Sequence, residues 1–396
     1  MTDMLSNTMT LEEIRAKALC LYEALHEHPE PSGEEVWTTE SIKAECNAIG
    51  LEILPMRLQT GLVARLRGCG DRAVALRADI DAVTLEYPLR RPFGKAAHYC
   101  GHDCHTAALL TAARMLSLLP QSERKNDIYF IFQPAEETMR GAELLLSCGL
   151  RTAFDKPLTA IYGIHNRPEV KAGDIAAESG PRMAAKCDFA ISILGVGGHG
   201  GEPQLCRDPI VAAAELITSA QTIVSRSTAP QDACVLSFCS VNGGSAKNFA
   251  PTGVELTGSI RTLSDEVMQA AYARLSELTD GICALYGCTA RIQRTAFSPV
   301  TYCSERLLHM ARSAAQAALA DTGCGFASPA PAMGADDFAH FAELAPTFYY
   351  WVGSGKADGS SVPWHDRAFE ADEGFFPSAV LLYAYSALQY EKSSER

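Results

Sequence analysis

The sequence lacks a basic run and a long apolar stretch. Its 396 residues carry 34 Lys and Arg against 47 Asp and Glu, which gives a net charge of −13. Nucleic acid and anionic membranes are therefore not expected as partners, because both are bound through positively charged surfaces. No segment reaches the ~18 consecutive apolar residues that a membrane-spanning helix needs, so the sequence predicts no membrane partner.

The sequence also lacks an export signal at its start. Residues 1–7 contain neither a basic region nor an apolar core, and we expect no signal peptide. The 14 cysteines are scattered through helix-like and strand-like runs, so most of them are expected to be reduced. These features predict a cytoplasmic location.

The chain is too long for one ordinary hydrophobic core, and two domains are expected. Three apolar runs, at residues 73–79, 127–132 and 158–164, are typical of buried strands, and helical runs lie between them. This alternation predicts an α/β domain with a mixed, largely parallel sheet that is covered by helices on both faces.

Capping signals predict where the first two helices begin. Thr10 with Glu13, and Ser32 with Glu35, each have the spacing of a capping box. The second helix is expected to end at Gly50, because glycine readily adopts the left-handed conformation that follows a helix.

The alternation of strands and helices changes at about residue 186. Between residues 187 and 295 the predicted order is strand, helix, strand, strand, helix, strand, as in a ferredoxin-like unit. After Pro299 the earlier alternation resumes. We therefore predict a discontinuous catalytic domain, residues 1–185 and 296–396, with an inserted α+β ferredoxin-like lid or dimerisation domain at residues 186–295.

The segment from Cys100 to His105 contains two thiols, two imidazoles and a carboxylate, and an apolar helical run follows it. Thiolate and imidazole are ligands for Zn²⁺-like or Mn²⁺-like ions. The segment is equally consistent with an ordinary helix start, with Asp103 in the first turn and cysteine as a small apolar residue.

Further polar side chains follow the predicted strands at their carboxyl ends, where open α/β sheets bind ligands. These residues are Asp79, Asp81, Glu136, Glu137, His165 and His365. Each alone has a structural interpretation, such as a helix entry rich in acids or a hydrogen-bonded histidine. Their shared position favours a metal site. The candidate ligands, sufficient for two ions, are Cys100, His102, Glu137, His165 and His365.

These residues lie in motifs that resemble those of the amidohydrolase branch of the M20 metallopeptidase family. The family contains hippurate, N-acyl-amino-acid and auxin-conjugate hydrolases. The similar motifs span most of the chain and are His26–Glu30, Ala78–Ala82, Cys100–Asp103, Phe132–Glu137, Gly163–His165, Gly197–Gly200, Asn248–Pro251, Gly258–Arg261 and Met333–Phe338.

The resemblance implies roles for individual residues. The five candidate ligands match its metal-ligand positions, Glu136 matches the general base, and Asp81 matches the carboxylate that supports the site. His199, Asn248 and Arg261 match residues that act on the substrate carboxylate and on the developing oxyanion.

The resemblance also implies an activity and its cofactors. We expect metal-dependent hydrolysis of the amide bond of N-acyl or N-aroyl amino acids, with two divalent ions per subunit (Zn, Mn, Co or Ni). The expected partner is a small N-acyl amino acid or a dipeptide, and the expected assembly is a homodimer through residues 186–295. In such a dimer His199 is able to act on the neighbouring subunit's site.

Three alternatives remain open at this point. The same site could serve a dipeptidase, or Cys100 could be the nucleophile of a cysteine amidase. The chain could also be a non-catalytic binding protein. The segment Gly195–Gly200 fits a dinucleotide-binding pattern, but the next helix is predicted only near Asp208, too far away for that motif.

Overall fold

The computed structural model describes residues 5, 8–85, 95–356 and 360–389. The chain divides into two compact units. The first unit comprises Met1–Gly180, Tyr302–Ala330 and Asp337–Arg396, and the second comprises Pro181–Thr301 and Pro331–Asp336. The boundaries predicted from the sequence, 186 and 295, fall inside the second unit.

The strands are, in chain order, β1 (Glu52–Ile53), β2 (Leu62–Leu66), β3 (Arg72–Asp79), β4 (Val83–Thr84), β5 (Ala96–Ala97), β6 (Asn126–Gln133), β7 (Leu158–Lys171), β8 (Ile175–Ala176), β9 (Gly180–Met183), β10 (Ala185–Leu194), β11 (Gly198–His199), β12 (Cys234–Gly243), β13 (Phe249–Ala250), β14 (Gly253–Thr262), β15 (Thr289–Ser298), β16 (Thr301–Cys303) and β17 (Thr347–Gly355).

The α-helices are α1 (Leu11–His26), α2 (Val36–Ala48), α3 (His102–Ser117), α4 (Gly141–Ser147), α5 (Pro209–Thr222), α6 (Asp265–Leu285), α7 (Leu308–Thr322) and α8 (Phe375–Leu388). A π-helical turn, Ile223–Ser227, follows α5. Among the described residues, no helix has both the length and the apolar content needed to cross a membrane. The cytoplasmic location stays a prediction.

The first unit is built on a seven-stranded sheet with the order β1-β2-β6-β3-β7-β17-β8. Strand β3 runs parallel to β6 and β7, and β7 runs parallel to β17. The remaining pairings, β1 with β2, β2 with β6 and β8 with β17, are antiparallel. The mixed, largely parallel sheet predicted from the sequence is therefore confirmed.

Burial explains why the central strands are apolar almost throughout. Strands β6 and β17 are buried along their whole length, and β3 is buried after its first residue. Helix α8 is buried on all sides and contacts α3, α7 and the central strands. Strands and helices that are covered in this way carry few polar side chains, because an unpaired polar group is costly away from water.

The first capping box is confirmed and the second is wrong. Thr10 and Glu13 form the reciprocal hydrogen bonds of the box at the start of α1. Helix α2 has no side-chain cap at Glu35. Instead, the Glu30 carboxylate accepts hydrogen bonds from the first backbone N–H groups of α2, those of Trp37 at 2.9 Å and Thr38 at 2.8 Å.

Ser32 and Glu35 are used elsewhere in the first unit. The Ser32 hydroxyl donates to Asp81 Oδ2 at 2.6 Å, and Glu35 Oε1 accepts from the backbone N–H of Ala135 at 2.8 Å. The spacing of a capping box was therefore not sufficient evidence here, because tertiary partners compete for the same side chains.

The second unit contains a four-stranded antiparallel sheet with the order β12-β14-β10-β15. The four strands of this sheet and helices α5 and α6 follow the predicted order of strand, helix, strand, strand, helix, strand, and β11 and β13 form a further two-stranded sheet. Helix α5 begins at Pro209, after Asp208, which caps it. Residues 201–208, which include a 3₁₀ turn at Pro203–Leu205, separate α5 from Gly195–Gly200. This separation argues against a dinucleotide motif, as the sequence predicted. The role of this unit as a lid stays a prediction.

Candidate metal centre

Four adjacent parallel strands of the first unit end at one edge of the sheet, in the order β6-β3-β7-β17. The chain after β6 carries Glu136 and Glu137, and the chain after β3 carries Asp81. His165 lies within β7, which is longer than predicted and continues to Lys171. His365 lies in the segment after β17. The topology thus gathers the predicted ligands, because carboxyl ends of parallel strands meet.

His102 is the first residue of α3, and its ring is anchored through one nitrogen. Nδ1 lies 2.9 Å from the Asp81 carbonyl oxygen and 3.1 Å from Asp81 Oδ1. An Nδ1–H that donates to these oxygens leaves Nε2 as the ligand atom. Nε2 lies 3.8 Å from Glu136 Oε2 and 3.9 Å from Glu137 Oε1.

Asp81 also fixes the segment that carries the two glutamates. Its Oδ2 accepts from the backbone N–H of Glu137 at 3.0 Å. Ala135, which precedes Glu136, has a φ of 56°, and Met139 has a φ of 55°. These positive values are rare outside glycine, and they lie on either side of the two glutamates.

His365 has the third positive φ among the described non-glycine residues, 65°. Its backbone N–H donates to the Tyr99 carbonyl oxygen at 2.8 Å. Its Nε2 lies 3.6 Å from Glu137 Oε1. All three of these strained backbone positions lie in segments that carry candidate site residues, as is typical of functional sites.

The ligand atoms form two groups with one shared member. Cys100, His102 and His165 have ligand atoms within 4.8 Å of one another, and so do Cys100, Glu137 and His365. Cys100 Sγ lies 3.7 Å from His165 Nε2. With metal–ligand distances of about 2.0–2.3 Å, two ligands of one ion lie roughly 3–4 Å apart. The spacing in both groups therefore fits a pair of metal ions.

Two atoms in these groups are available to bind a cation. His102 Nε2 and Glu137 Oε1 are buried and have no hydrogen-bond partner among the described residues. Burial, with Asp81 and Asp79 nearby, raises the pKa of Glu137 to about 7, against the opposing effect of His102. Burial, with Glu137 nearby, also raises the pKa of the Cys100 thiol well above its usual range. A bound cation would favour the ionised form of both groups.

Sequence reasoning named Asp79 and the Cys100–His105 segment, but it missed Arg77 and the contacts by which these residues support the centre. Asp79 Oδ1 lies 2.7 Å from His105 Nδ1, and Asp79 Oδ2 accepts from Arg77 Nη1 at 2.9 Å. Burial opposes ionisation of Asp79, but His102, Arg77 and His105 outweigh it and hold its pKa well below the usual range. Cys104 donates to the Gly101 carbonyl oxygen at 2.8 Å. His105 and Cys104 are thus structural parts of the Cys100–His105 motif.

The second unit holds the other three predicted residues. Strand β11 with His199 pairs with β13, and the N–H of Gly200 donates to the Asn248 carbonyl oxygen at 2.8 Å. His199 Nδ1 accepts from the N–H of Gly201 at 3.1 Å, which assigns the proton of a neutral ring to Nε2. Arg261 lies on β14, and its Nη1 donates to the Met333 carbonyl oxygen at 2.8 Å.

Comparison with known proteins agrees with this geometry. N-acetylcysteine deacetylase of Bacillus subtilis (strain 168) is 36% identical over 370 residues, 92% of this chain and 94% of that protein. Hippurate hydrolase of Campylobacter jejuni is 30% identical over 374 residues, 93% of this chain and 95% of that protein.

A solved structure of a Bacillus subtilis protein, described as a dinuclear metal-binding peptidase from family M20, has a TM-score of 0.79 and 32% identity. The match covers 95% of the present chain and 98% of the chain in that solved structure. The model of peptidase family M20/M25/M40 matches residues 75–388. The resemblance found in the sequence motifs is confirmed, and the chain belongs to peptidase family M20/M25/M40.

Proposed function

We propose that this protein hydrolyses the amide bond of N-acyl or N-aroyl amino acids at a dinuclear metal centre. The observation that carries the proposal is the pair of ligand groups that share Cys100, with Glu136 beside them. The residues that would hold the ions are Cys100, His102, Glu137, His165 and His365. The names of the similar deacetylase and hippurate hydrolase support this class of substrate.

Ions held by these residues would supply Lewis acidity and would lower the pKa of a water toward ~7. Glu136 is the general base: it takes a proton from the attacking water and later gives a proton to the leaving nitrogen. The balance is one water consumed, one C–N bond broken, and a carboxylic acid and an amine released. Asp81 holds His102 and the Glu137 backbone, so that neighbouring Glu136 and Glu137 keep separate roles.

The second unit supplies the groups that recognise the substrate. His199 with a proton on Nε2 is a donor suited to a developing oxyanion. Arg261 has five N–H donors, of which one is used by Met333. The planar guanidinium suits a free carboxylate, and Asn248 supplies an amide beside His199, whose strand β11 pairs with β13. The lid role of residues 186–295 belongs to this proposal.

The test is a screen of the purified enzyme for amine release from N-acetyl, N-benzoyl and long-chain N-acyl amino acids, and from dipeptides. Each substrate is assayed after removal of metal and after addition of Zn²⁺, Mn²⁺, Co²⁺ or Ni²⁺. We expect metal-dependent hydrolysis of at least one N-acyl or N-aroyl amino acid. Cleavage of dipeptides alone would overturn the proposal in favour of a dipeptidase.

We also propose a homodimer formed through the second unit. Strand β12 is an edge of its sheet, and an edge strand is able to pair with a second copy. Apolar side chains that are exposed on this unit include Leu194, Val196, Leu205, Ile210, Val211, Val235, Val241 and Phe249. Two-fold dimers are the commonest symmetric assemblies.

The dimer proposal includes action of His199 on the neighbouring subunit's site. Glu136→Gln and His199→Ala are mixed under conditions that exchange subunits. If His199 acts in trans, some mixed dimers contain one intact site, and activity is recovered. Sedimentation as a monomer at the assay concentration would refute the dimer, and absence of recovery despite proven exchange would refute action in trans.

A further inference from the structure

We propose that Asn166 is a positioning residue that fastens three ligand-bearing segments of the metal centre to strand β7. The proposal rests on the proposed function. Asn166 follows His165 in β7 and is completely buried. Its side-chain amide and its backbone contact segments that contain Cys100, His165 and His365, although none of its atoms is a candidate ligand.

The amide nitrogen of Asn166 binds the segment that carries Cys100. Nδ2 donates to the Cys100 carbonyl oxygen at 2.6 Å and lies 3.0 Å from His105 Nε2. The Asn166 backbone N–H also donates to His105 Nε2, at 2.9 Å. Because His105 Nδ1 is bonded to Asp79, the neutral ring carries its proton there and Nε2 accepts. Asn166 is thereby joined to Cys100 and to the first turns of α3.

The amide oxygen of Asn166 binds the segment that carries His365. Oδ1 accepts from Trp364 Nε1 at 3.0 Å and from Ser354 Oγ at 3.2 Å. Trp364 directly precedes His365, whose positive φ needs support from its surroundings. The indole bond supplies such support, because it fixes the residue next to the strained position.

The backbone oxygen of Asn166 sets the tautomer of His165. His165 Nδ1 lies 2.9 Å from this oxygen, so Nδ1 carries the proton and Nε2 is left to bind metal. His165 Nε2 is the atom that lies 3.7 Å from Cys100 Sγ. One residue therefore orients both members of this pair.

Gly101 gives independent support for the contact between the Asn166 amide and the Cys100 segment. A Cβ at Gly101 would lie 2.5 Å from Asn166 Nδ2, closer than two such atoms approach, and the Gly101 φ is 86°. Both the conformation and the space at this position require glycine. The glycine between Cys100 and His102 is thus explained by the approach of the Asn166 amide.

The geometry requires an amide at residue 166. One end of the side chain donates to a carbonyl oxygen, and the other end accepts from an indole and a hydroxyl. Aspartate has the same shape, but when ionised it only accepts, and one of its oxygens would face the Cys100 carbonyl oxygen. Asn166→Asp is therefore a nearly isosteric test of the donor.

Asn126→Asp is a matched control. Asn126 is a buried asparagine in the first position of β6, and its Nδ2 donates to the Ala387 and Gln389 carbonyl oxygens at 3.1 and 2.8 Å. It lies at the start of β6, whereas Glu136 and Glu137 follow the other end of that strand. The substitution removes the same kind of hydrogen bonds away from the metal centre.

The experiment measures Co²⁺ affinity by chelator competition and the thiolate-to-cobalt absorption band, in the full-length wild type and in both variants. Loss of outer contacts of ligands typically costs about 10–100-fold in metal affinity. We expect Asn166→Asp to lower the affinity by at least about 10-fold and to change the absorption band. Asn126→Asp should leave both unchanged, even where it lowers thermal stability.

Two results would overturn the proposal: wild-type affinity and spectrum in Asn166→Asp, or equal loss of affinity in both variants. Trp364→Phe keeps the ring and removes its N–H, and it provides the test if Asn166→Asp does not fold. Unchanged Co²⁺ affinity in Trp364→Phe would then refute the proposal. Failure of the wild type to bind Co²⁺ or to hydrolyse any tested amide would instead refute the proposed function.

Discussion

Asp81 and His102 are joined by two contacts, since His102 Nδ1 lies 2.9 Å from the Asp81 carbonyl oxygen and 3.1 Å from Oδ1. We predict that Asp81→Asn lowers metal affinity by about 10–100-fold, because the amide cannot accept hydrogen bonds on both ends from its present neighbours. Asp127→Asn is the control: Asp127 is buried in β6 and accepts from Gly68 N and Lys156 Nζ. Equal metal affinity in the wild type and Asp81→Asn would contradict the prediction.

Replacement of Glu136 and of Glu137 by Gln is predicted to remove different properties of the enzyme. Glu136→Gln should retain metal and lose kcat by several orders of magnitude, because an amide does not accept the proton of the attacking water. Glu137→Gln should also lose metal occupancy. Metal analysis and steady-state kinetics on both variants check this. The same metal content and the same activity in the two variants would show the roles to be misassigned.

Cys100 is predicted to be a ligand and not a nucleophile. EDTA should abolish activity, and added metal should restore it. Bound metal should also protect Cys100 from alkylation, while the exposed Cys20, Cys69 and Cys239 react equally with and without metal. Peptide mapping after alkylation measures this protection. Full activity in a demonstrably metal-free preparation would support the cysteine amidase instead.

Arg261 is predicted to bind the substrate carboxylate. Arg261→Ala should mainly raise KM if the contact is equally strong in the ground state and in the transition state. The control is the same substrate with a carboxamide in place of its free carboxylate, which should be a poor substrate for the wild type and should gain little from Arg261. Indifference of the wild type to this change would count against the assignment.

The contact between His26 and Asp103 predicts that part of the free energy of unfolding depends on pH. Asp103 Oδ2 lies 2.6 Å from His26 Nδ1 and raises the pKa of His26. A raised histidine pKa stabilises the fold fully below about pH 6.5, and this stabilisation is lost as the pH rises through the higher folded-state pKa. For Asp103, burial is outweighed by His98 and His26, which lower its pKa. The stabilisation that ionised Asp103 gives to the fold is lost as the pH falls below about 4.

The measurement is chemical denaturation of the metal-free protein between pH 4 and 9. His26→Gln should lower the free energy of unfolding most between about pH 4 and 6.5, and the difference from the wild type should shrink above that range. His28→Gln is the control, because His28 lies two residues away and bonds to the Ala24 carbonyl oxygen. A difference that grows with rising pH would contradict the assignment.

The sequence by itself determined the kind of sheet and most of the ligand set. Central strands that are buried on both faces must be apolar, which made β3, β6 and the first half of β7 recognisable as apolar runs. Residues after such strands meet at one edge. The candidate ligands could therefore be identified from their positions along the chain, and the Cys100–His105 segment added the soft donors.

Only the tertiary structure decided which polar residues are candidate metal ligands and which hold the ligand-bearing segments through hydrogen bonds. Ser32 and Glu35 have the spacing of a helix cap but bond to Asp81 and Ala135. Asn166 carried no motif of its own, yet it contacts the segments of three candidate ligands. Local spacing does not specify hydrogen bonds between residues far apart in the chain, because those depend on where the folded backbone places each donor and acceptor.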